Sequence, residues 1–252
     1  MVKFQSNCFV TTIILCLFSS LGFAASSGFN LEKADIDPND ISSLQRGAAN
    51  FMNYCSGCHS AKYIRYQTIG EDLDLTKEML KDNLMFNAEN TFDTIQTSMS
   101  SEDAALWYGT APPDLSLMAR AKGVDYIYTF LKGFYVDDES PTGVDNIVLP
   151  GTSMPHVLWE LQGYQSANFD SYKNSDGSET MSFSGFEQLS TGALDSEDYE
   201  EFVRDTVNFL SYISEPVKGF RITLGKWVIA YLVFFLILAR MLKKQIWRDV
   251  KK

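Results

Sequence analysis

Residues 53–60 read NYCSGCHS. Two thiols, Cys55 and Cys58, stand three positions apart, and an imidazole, His59, follows the second directly. Three chemistries use such a set. A redox dithiol exchanges disulfides, but it usually follows a strand, and the residues before Cys55 carry a helical pattern. A structural zinc site needs four ligands. Cys55, Cys58, His59 and His156 total four, yet the neighbours Cys58 and His59 would have to converge on one ion, and no second close ligand pair exists. A covalent haem takes both thiols as thioethers and the histidine as an iron ligand. On a helix, positions 55, 58 and 59 share one face, which sets two thioethers and one imidazole over a flat ring. Haem c, a single group attached through Cys55 and Cys58, is the reading these residues favour.

Iron that only transfers electrons takes a second axial ligand, and a soft thioether stabilises Fe(II) and raises the potential. Met52 lies on the helix that already supplies His59. Met79, Met85 and Met118 fall in apolar helical faces, where packing is their ordinary role. Met154 differs: it sits in the aperiodic stretch PGTSMPHVLWE, braced by Pro155, and such a loop can turn a sulfur toward a metal without breaking a helix. His156 is the rival ligand and would give a bis-histidine haem of lower potential. Met154 is the favoured one.

The elements that must position these groups follow from periodicity and caps. Asn39 or Asp40, just past Pro38, caps a helix whose apolar residues Ile41, Leu44, Ala48, Phe51, Met52 and Cys55 recur at spacings of three and four. LTKEMLKDNLMF and SSEDAALWYG read as short helices, and APPDLSLMARAKGVDYIYTFLKGFY as a rigid Pro-Pro turn followed by a helix. Residues 136–156 read as a long loop, and 165–194 as loop or a small hairpin. DSEDYEEFVRDTVNFLSYISEP reads as a helix burying Tyr199, Phe202, Val203, Phe209, Leu210 and Ile213, with Pro216 beyond its end. The fold class expected is mainly α: a c-type cytochrome-like haem domain with long loops, plus one C-terminal transmembrane helix. No internal repeat, phosphate loop or serine-hydrolase elbow is visible.

The chain has 252 residues and a formal net charge of -11, a length for one or two domains. It opens MVK, continues apolar from Cys8 to Phe23, and reaches Gly22-Phe23-Ala24, which reads as a secretory signal cut after Ala24. Cys8 and Cys16 lie in that segment, so the mature chain keeps only Cys55 and Cys58 and has no disulfide framework. Leu224 to Leu242 is apolar except for Lys226 and Arg240 near its ends, roughly 28 Å of helix at 1.5 Å per residue and enough to span a bilayer. The heavier basic flank, Arg240 with Lys243, Lys244, Arg248, Lys251 and Lys252, belongs on the cytoplasmic side. The expected order is a signal peptide over 1–24, an extracytoplasmic haem domain over 25–222, a membrane helix over 223–242 and a basic tail over 243–252. Residues 25–239 hold 14 basic and 31 acidic side chains, a balance of -17. That repels nucleic acid; it suits a basic protein partner, or simply a solvated surface.

Five blocks, in order, carry a resemblance: RGAANFMNYCSGCHS, APPDLSLMARAKGVDYIYTFLKGFY, PTGV, MPHVLWELQG, and FLSYISEP followed by one apolar span. Together they resemble the bacterial form of the cytochrome c1 family, the haem subunits of quinol–cytochrome c oxidoreductase (the bc1 complex). The likeness covers nearly the whole mature chain. It implies Cys55 and Cys58 as thioether residues, His59 as proximal ligand and Met154 as distal ligand. It implies that Pro113 lies by the histidine and helps to orient its other ring nitrogen, and that Arg120 and Tyr126 lie near the haem. Where the family often has a second arginine, this chain has Lys122, which keeps a charge for a propionate but loses the bidentate fork. The implied function is an electron-carrying subunit, not an enzyme on its own. It passes one electron from the Rieske iron–sulfur protein to a c-type cytochrome acceptor in the respiratory chain. The implied setting is a dimeric complex with a cytochrome b subunit in the bacterial inner membrane, haem domain in the periplasm and C-terminus in the cytoplasm. The acidic runs Asp137 to Glu139 and Asp195 to Glu201 either steer a basic acceptor or serve loop solvation and a helix start. Two other classes stay open: a free-standing membrane-anchored cytochrome donating to a terminal oxidase, and a haem enzyme such as a peroxidase with an open distal site.

Overall fold

A computed structural model of the chain describes residues 30–173 and 179–248. The expected signal peptide, with Cys8 and Cys16, lies outside them. The first helix, α1 (Ile41–Tyr54), starts where Asp40, in extended backbone, accepts the Ser43 amide at 3.1 Å. Its last described partner in the core is α8 (Ser196–Ser214), started the same way by Asp195 accepting from the Asp198 amide at 2.9 Å. These two helices form the centre of the domain. Leu44, Ala48 and Phe51 from α1 meet Val203, Val207 and Phe209 from α8, all essentially buried, and the Phe51 and Phe209 rings lie 5.8 Å apart. The approach is close because position 47 has no side chain: a Cβ there would sit 2.0 Å from the Asp205 carbonyl oxygen. Beyond Asp205 the helix is buried on every side as far as Ser214. Two of its polar residues reach across the packing: Asp205 takes Arg46 Nε at 2.5 Å, and Asn208 donates to Asp37 O at 2.7 Å and to Ser43 Oγ at 2.9 Å, while its own Oδ1 is buried without a partner.

Between these helices come β1 (Ala61–Arg65), α2 (Tyr66–Asp72), α3 (Lys77–Asn83), β2 (Thr94–Ile95) and α4 (Ser101–Tyr108). Ser100 caps α4 and Gly109, at φ +76°, ends it. The block after Pro112-Pro113 is two helices, not one: α5 (Met118–Lys122) and α6 (Val124–Lys132) break at Gly123, whose φ of +93° lies outside the helical region. Residues 136–156, expected as loop, contain a ladder. β3 (Phe134–Val136) pairs antiparallel with β4 (Val144–Asn146), and Asp137 N to Gly143 O at 3.1 Å closes the turn. Strands of three residues carry too little alternation to be seen in sequence. A single turn, α7 (Trp159–Gln162), follows. Region 165–194 is the hairpin alternative, β5 (Gln165–Lys173) with β6 (Glu179–Gln188), irregular in register at Asn168/Phe169.

The C-terminal helix α9 (Lys218–Ile246) has 29 residues and a best mean hydropathy of 2.2 over an 18-residue window, with none of that window buried in the protein. It is long and apolar enough to cross a membrane, and it extends beyond Leu224–Leu242 at both ends.

Candidate haem site

The cysteines do not lie on α1 itself. The helix ends at Tyr54, and Cys55 is its C-cap. What brings the three groups together is a pair of tight turns folded back on the helix end. Cys55 N bonds Phe51 O at 2.9 Å, Cys58 N bonds Cys55 O at 3.0 Å and His59 N bonds Cys55 O at 2.8 Å. Ser56, buried, ties the turn down by donating to Met52 O at 2.7 Å. Both thiols are free. Burial, with Cys58 nearby, pushes the Cys55 thiol up to about 12, and burial also raises Cys58. A disulfide-exchanging dithiol needs the opposite, a lowered pKa that supplies thiolate.

His59 Nδ1 stands 2.7 Å from Pro113 O. A carbonyl only accepts, so Nδ1 carries the proton and Nε2 keeps its lone pair. Burial holds the ring below its ordinary pKa, against the Pro113 carbonyl and the Asp114 carboxylate, which favour the charged form. The neutral ring with an open Nε2 is the form that binds a metal.

Met154 is half-buried and packs on the main core. Its loop lacks a ladder and hangs from side chains: Asp145 Oδ1 accepts from Gly151 N at 2.7 Å, and Thr152 Oγ1 from Met154 N at 3.4 Å. His156, two residues on, is buried and lies flat on Phe134, ring centres 5.1 Å apart and 6° from parallel. Neither ring nitrogen makes a hydrogen bond of ordinary geometry, and the nearby Gln162 Oε1 is also buried without one. Burial lowers His156 to about 4, against Gly163 and Gln162, which favour the charged form. Among the described residues no three His, Cys, Asp or Glu side chains gather to hold an ion, so Cys55, Cys58, His59 and His156 do not form a zinc tetrahedron.

Arg120, on α5, is exposed and has no ion pair among the described residues. Tyr126, on α6, is half-buried; Lys122 Nζ lies 5.4 Å from its ring centre, and Phe130 stacks on it at 6.3 Å. Cys55, Leu115, Met118, Tyr126, Met154 and Val157 all pack on the core while staying partly open. Two free thiols and one imidazole with an unprotonated Nε2, held together by consecutive turns, are a donor set that fits haem c. The sequence reading did not single out Asp114 and Ser116, which bond the strand after His59. Their signal was present, since Asp and Ser beside a Pro-Pro pair are turn formers.

Three of the five acids from Asp195 to Glu201 have partners within the domain. Asp195 caps the helix, Glu200 pairs with Lys132 at 3.0 Å and Glu201 with Arg46 at 3.1 Å.

Fold and site together define a c-type haem protein with, among the described residues, one helix able to span a membrane. A family model described as Cytochrome C1 family matches residues 33–250. Cytochrome c1 of Allochromatium vinosum is 42% identical over 241 residues, which cover 96% of this chain and 98% of that protein. A protein named ammonia monooxygenase gamma subunit, from Nitrosomonas europaea, is 35% identical over 240 residues, 94% of this chain and 97% of that one. Cytochrome c1 of Rhodospirillum rubrum is 29% identical over 239 residues, covering 84% of this chain and 83% of the relative. The chain belongs to the cytochrome c1 family. It is an electron-transfer subunit of a bc1 complex and carries haem c bound covalently through its cysteines, Cys55 and Cys58.

Proposed function

We propose that the chain takes one electron from the Rieske iron–sulfur protein and delivers it to a c-type cytochrome, with His59 and Met154 as the axial ligands of its haem iron. The bound haem supplies the one-electron change; the protein supplies ligands, tuning and docking, and needs no acid–base residue. The observation that carries the ligand reading is the Pro113–His59 contact: it fixes the tautomer that leaves Nε2 for iron, directly beside two free thiols. Arg120 and Tyr126 are assigned to the haem surroundings, Arg120 because it is exposed and has no ion pair among the described residues. The acceptor-facing charge is assigned to Asp137–Glu139, since Asp195, Glu200 and Glu201 of the other acidic run already have partners within the domain.

The proposed topology is a signal peptide over 1–24, removed on export, a periplasmic domain to residue 222, a span over 223–242 and a cytoplasmic tail over 243–252. In the inner membrane the chain sits with a cytochrome b subunit in a dimeric complex. A free-standing anchored cytochrome is not favoured, because the family match runs through the anchor as well as the haem domain. Purification through a tag on this chain, followed by redox-difference spectra, tests the assignment. Co-purified b-type haem and an iron–sulfur signal are expected. A preparation holding c-type haem alone, in gentle detergent, would sink it. Removing residues 218–252 should release a soluble haem domain, and a fragment that still pellets with washed membranes would contradict a single anchor.

A further inference from the structure

The Pro113 carbonyl does not hold itself at His59. Residues 113–116 run beside 60–63, yet only one cross-link is backbone to backbone: Leu115 N to Ser60 O, 2.8 Å. Proline supplies no N–H to a ladder, and in the other two links side chains replace carbonyls. Asp114 Oδ2 accepts from Lys62 N at 3.0 Å, and Ser116 Oγ accepts from Tyr63 N at 3.1 Å. The second oxygen of the carboxylate, Asp114 Oδ1, accepts from Ser116 N at 2.9 Å. One carboxylate thus grips an N–H on each side of the crossing, and charge-assisted bonds of this kind are the strong ones. Ser116 is buried at 1% exposure, so its hydroxyl has no water to fall back on. The residue next to Asp114 in the chain is Pro113, and its oxygen meets His59 Nδ1 at 2.7 Å.

We propose that Asp114, supported by Ser116, is a positioning residue for the haem: it locks the Pro113 carbonyl onto His59 Nδ1 and so sets the basicity of Nε2 and the potential of the iron. The inference rests on His59 being the iron ligand. A firm hydrogen bond from the far ring nitrogen makes an imidazole a more basic ligand, and a more basic ligand favours Fe(III). Loosening the grip therefore raises the potential.

The test uses the full-length chain in its complex and reads the midpoint potential. Asp114→Ala should shift the oxidised-to-reduced ratio at fixed poise by about tenfold toward the reduced form, about 59 mV for one electron. Losing the charge alone would act in the same direction, so two further variants separate the effects. Asp114→Asn loses the charge and one of the two acceptor oxygens, so it keeps only one of the two N–H bonds, and should shift by about threefold, clearly less than Asp114→Ala, if positioning dominates. Ser116→Ala keeps the charge but drops the Tyr63 bond, and should shift about threefold in the same direction as Asp114→Ala. If Asn matches Ala while Ser116→Ala matches wild type, charge alone is at work and the proposal is overturned. An unshifted Asp114→Ala overturns it as well. Should Asp114→Ala fail to accumulate, the other two variants decide. Pulsed EPR of oxidised wild type with 15N-labelled histidine should show an iron-bound ring. A missing coupling would bring down the ligand reading itself, whereas coupling present with unshifted variants would bring down only the role of Asp114.

Discussion

The two segments that carry the proposed ligands, His59 and Met154, hang from the core by different means. His59 follows two turns bonded to the end of α1, the helix whose Gly47 touches the backbone of α8, and the segment 60–63 is cross-linked to 113–116 at three points. Met154 sits in a segment whose backbone amides are held by the side chains of Asp145 and Thr152, and the ring of His156, two residues on, is laid on Phe134. The first side is coupled to global stability, and the second to local order. Damage to the first should cost the haem or the fold. Damage to the second should change the potential and leave the rest standing.

The largest effect expected is from Cys58→Ala. It leaves at most one thioether and deprives the core of its largest apolar component. Haem staining on a denaturing gel should be weak or absent, and the domain should be degraded. Normal staining would show that the histidine side is not the covalent anchor.

Met154→Leu comes next and tests the other arm. The volumes are similar, so packing should change by less than about 1.5 kcal/mol. The sulfur is gone, so ligation alone suffers. Covalent haem should persist while the potential falls by on the order of 0.1–0.3 V, within the ~0.8 V that axial ligands command. The sulfur-to-iron charge-transfer band of the oxidised form should vanish. A melting point that collapses together with the potential would mean that the two arms are not separable.

Gly47→Ala reverses the pattern. The added Cβ meets backbone, 2.0 Å from Asp205 O, which no rotamer can relieve. Overpacking of this sort costs about 1–3 kcal/mol, or roughly 2–4 °C of melting temperature per kcal/mol for a chain of this size. The potential of the folded fraction should stay put. A variant as stable as wild type would show that the α1–α8 contact is looser than it looks.

This contrast also explains what could be read from the sequence. Asp40, Ser100 and Asp195 each stand three residues before the amide they cap, so the starts of α1, α4 and α8 were legible. Cys55, Cys58 and His59 announce themselves because their chemistry is local. Met154 is proposed as a ligand from its surroundings, a proline-braced stretch without period. The short ladders were not legible, since their pairing is non-local and their strands run to five residues or fewer in β1–β2 and β3–β4. Nor was α2, which follows β1 directly with no side-chain cap. The polar residues Asp205, Asn208, Ser211 and Ser214 hid the all-round burial of α8, because polarity marks a solvent face only when no partner waits across the packing. Asp114 escaped for a related reason: the amide it holds on Lys62 is 52 positions away.

The smallest effect concerns His156, the rival ligand by sequence and a stacked core ring in the fold. Its two nitrogens are buried without regular hydrogen bonds, a situation that costs about 1–3 kcal/mol for each unmet polar group. Phenylalanine can keep the flat contact with Phe134 and brings no polar atoms. His156→Phe should therefore melt at or slightly above the wild-type temperature, by up to about 1 kcal/mol, with the potential and the low-spin spectrum unchanged. His156→Ala removes the ring stacked on Phe134 and leaves a cavity, at about 2–4 kcal/mol. It should broaden the charge-transfer band before it abolishes it. The order Ala worse than Phe, with Phe near wild type, identifies stacking as what His156 contributes. A high-spin spectrum or a large potential change in His156→Phe would instead make His156 the ligand, and Met154 would become the packing residue of the loop.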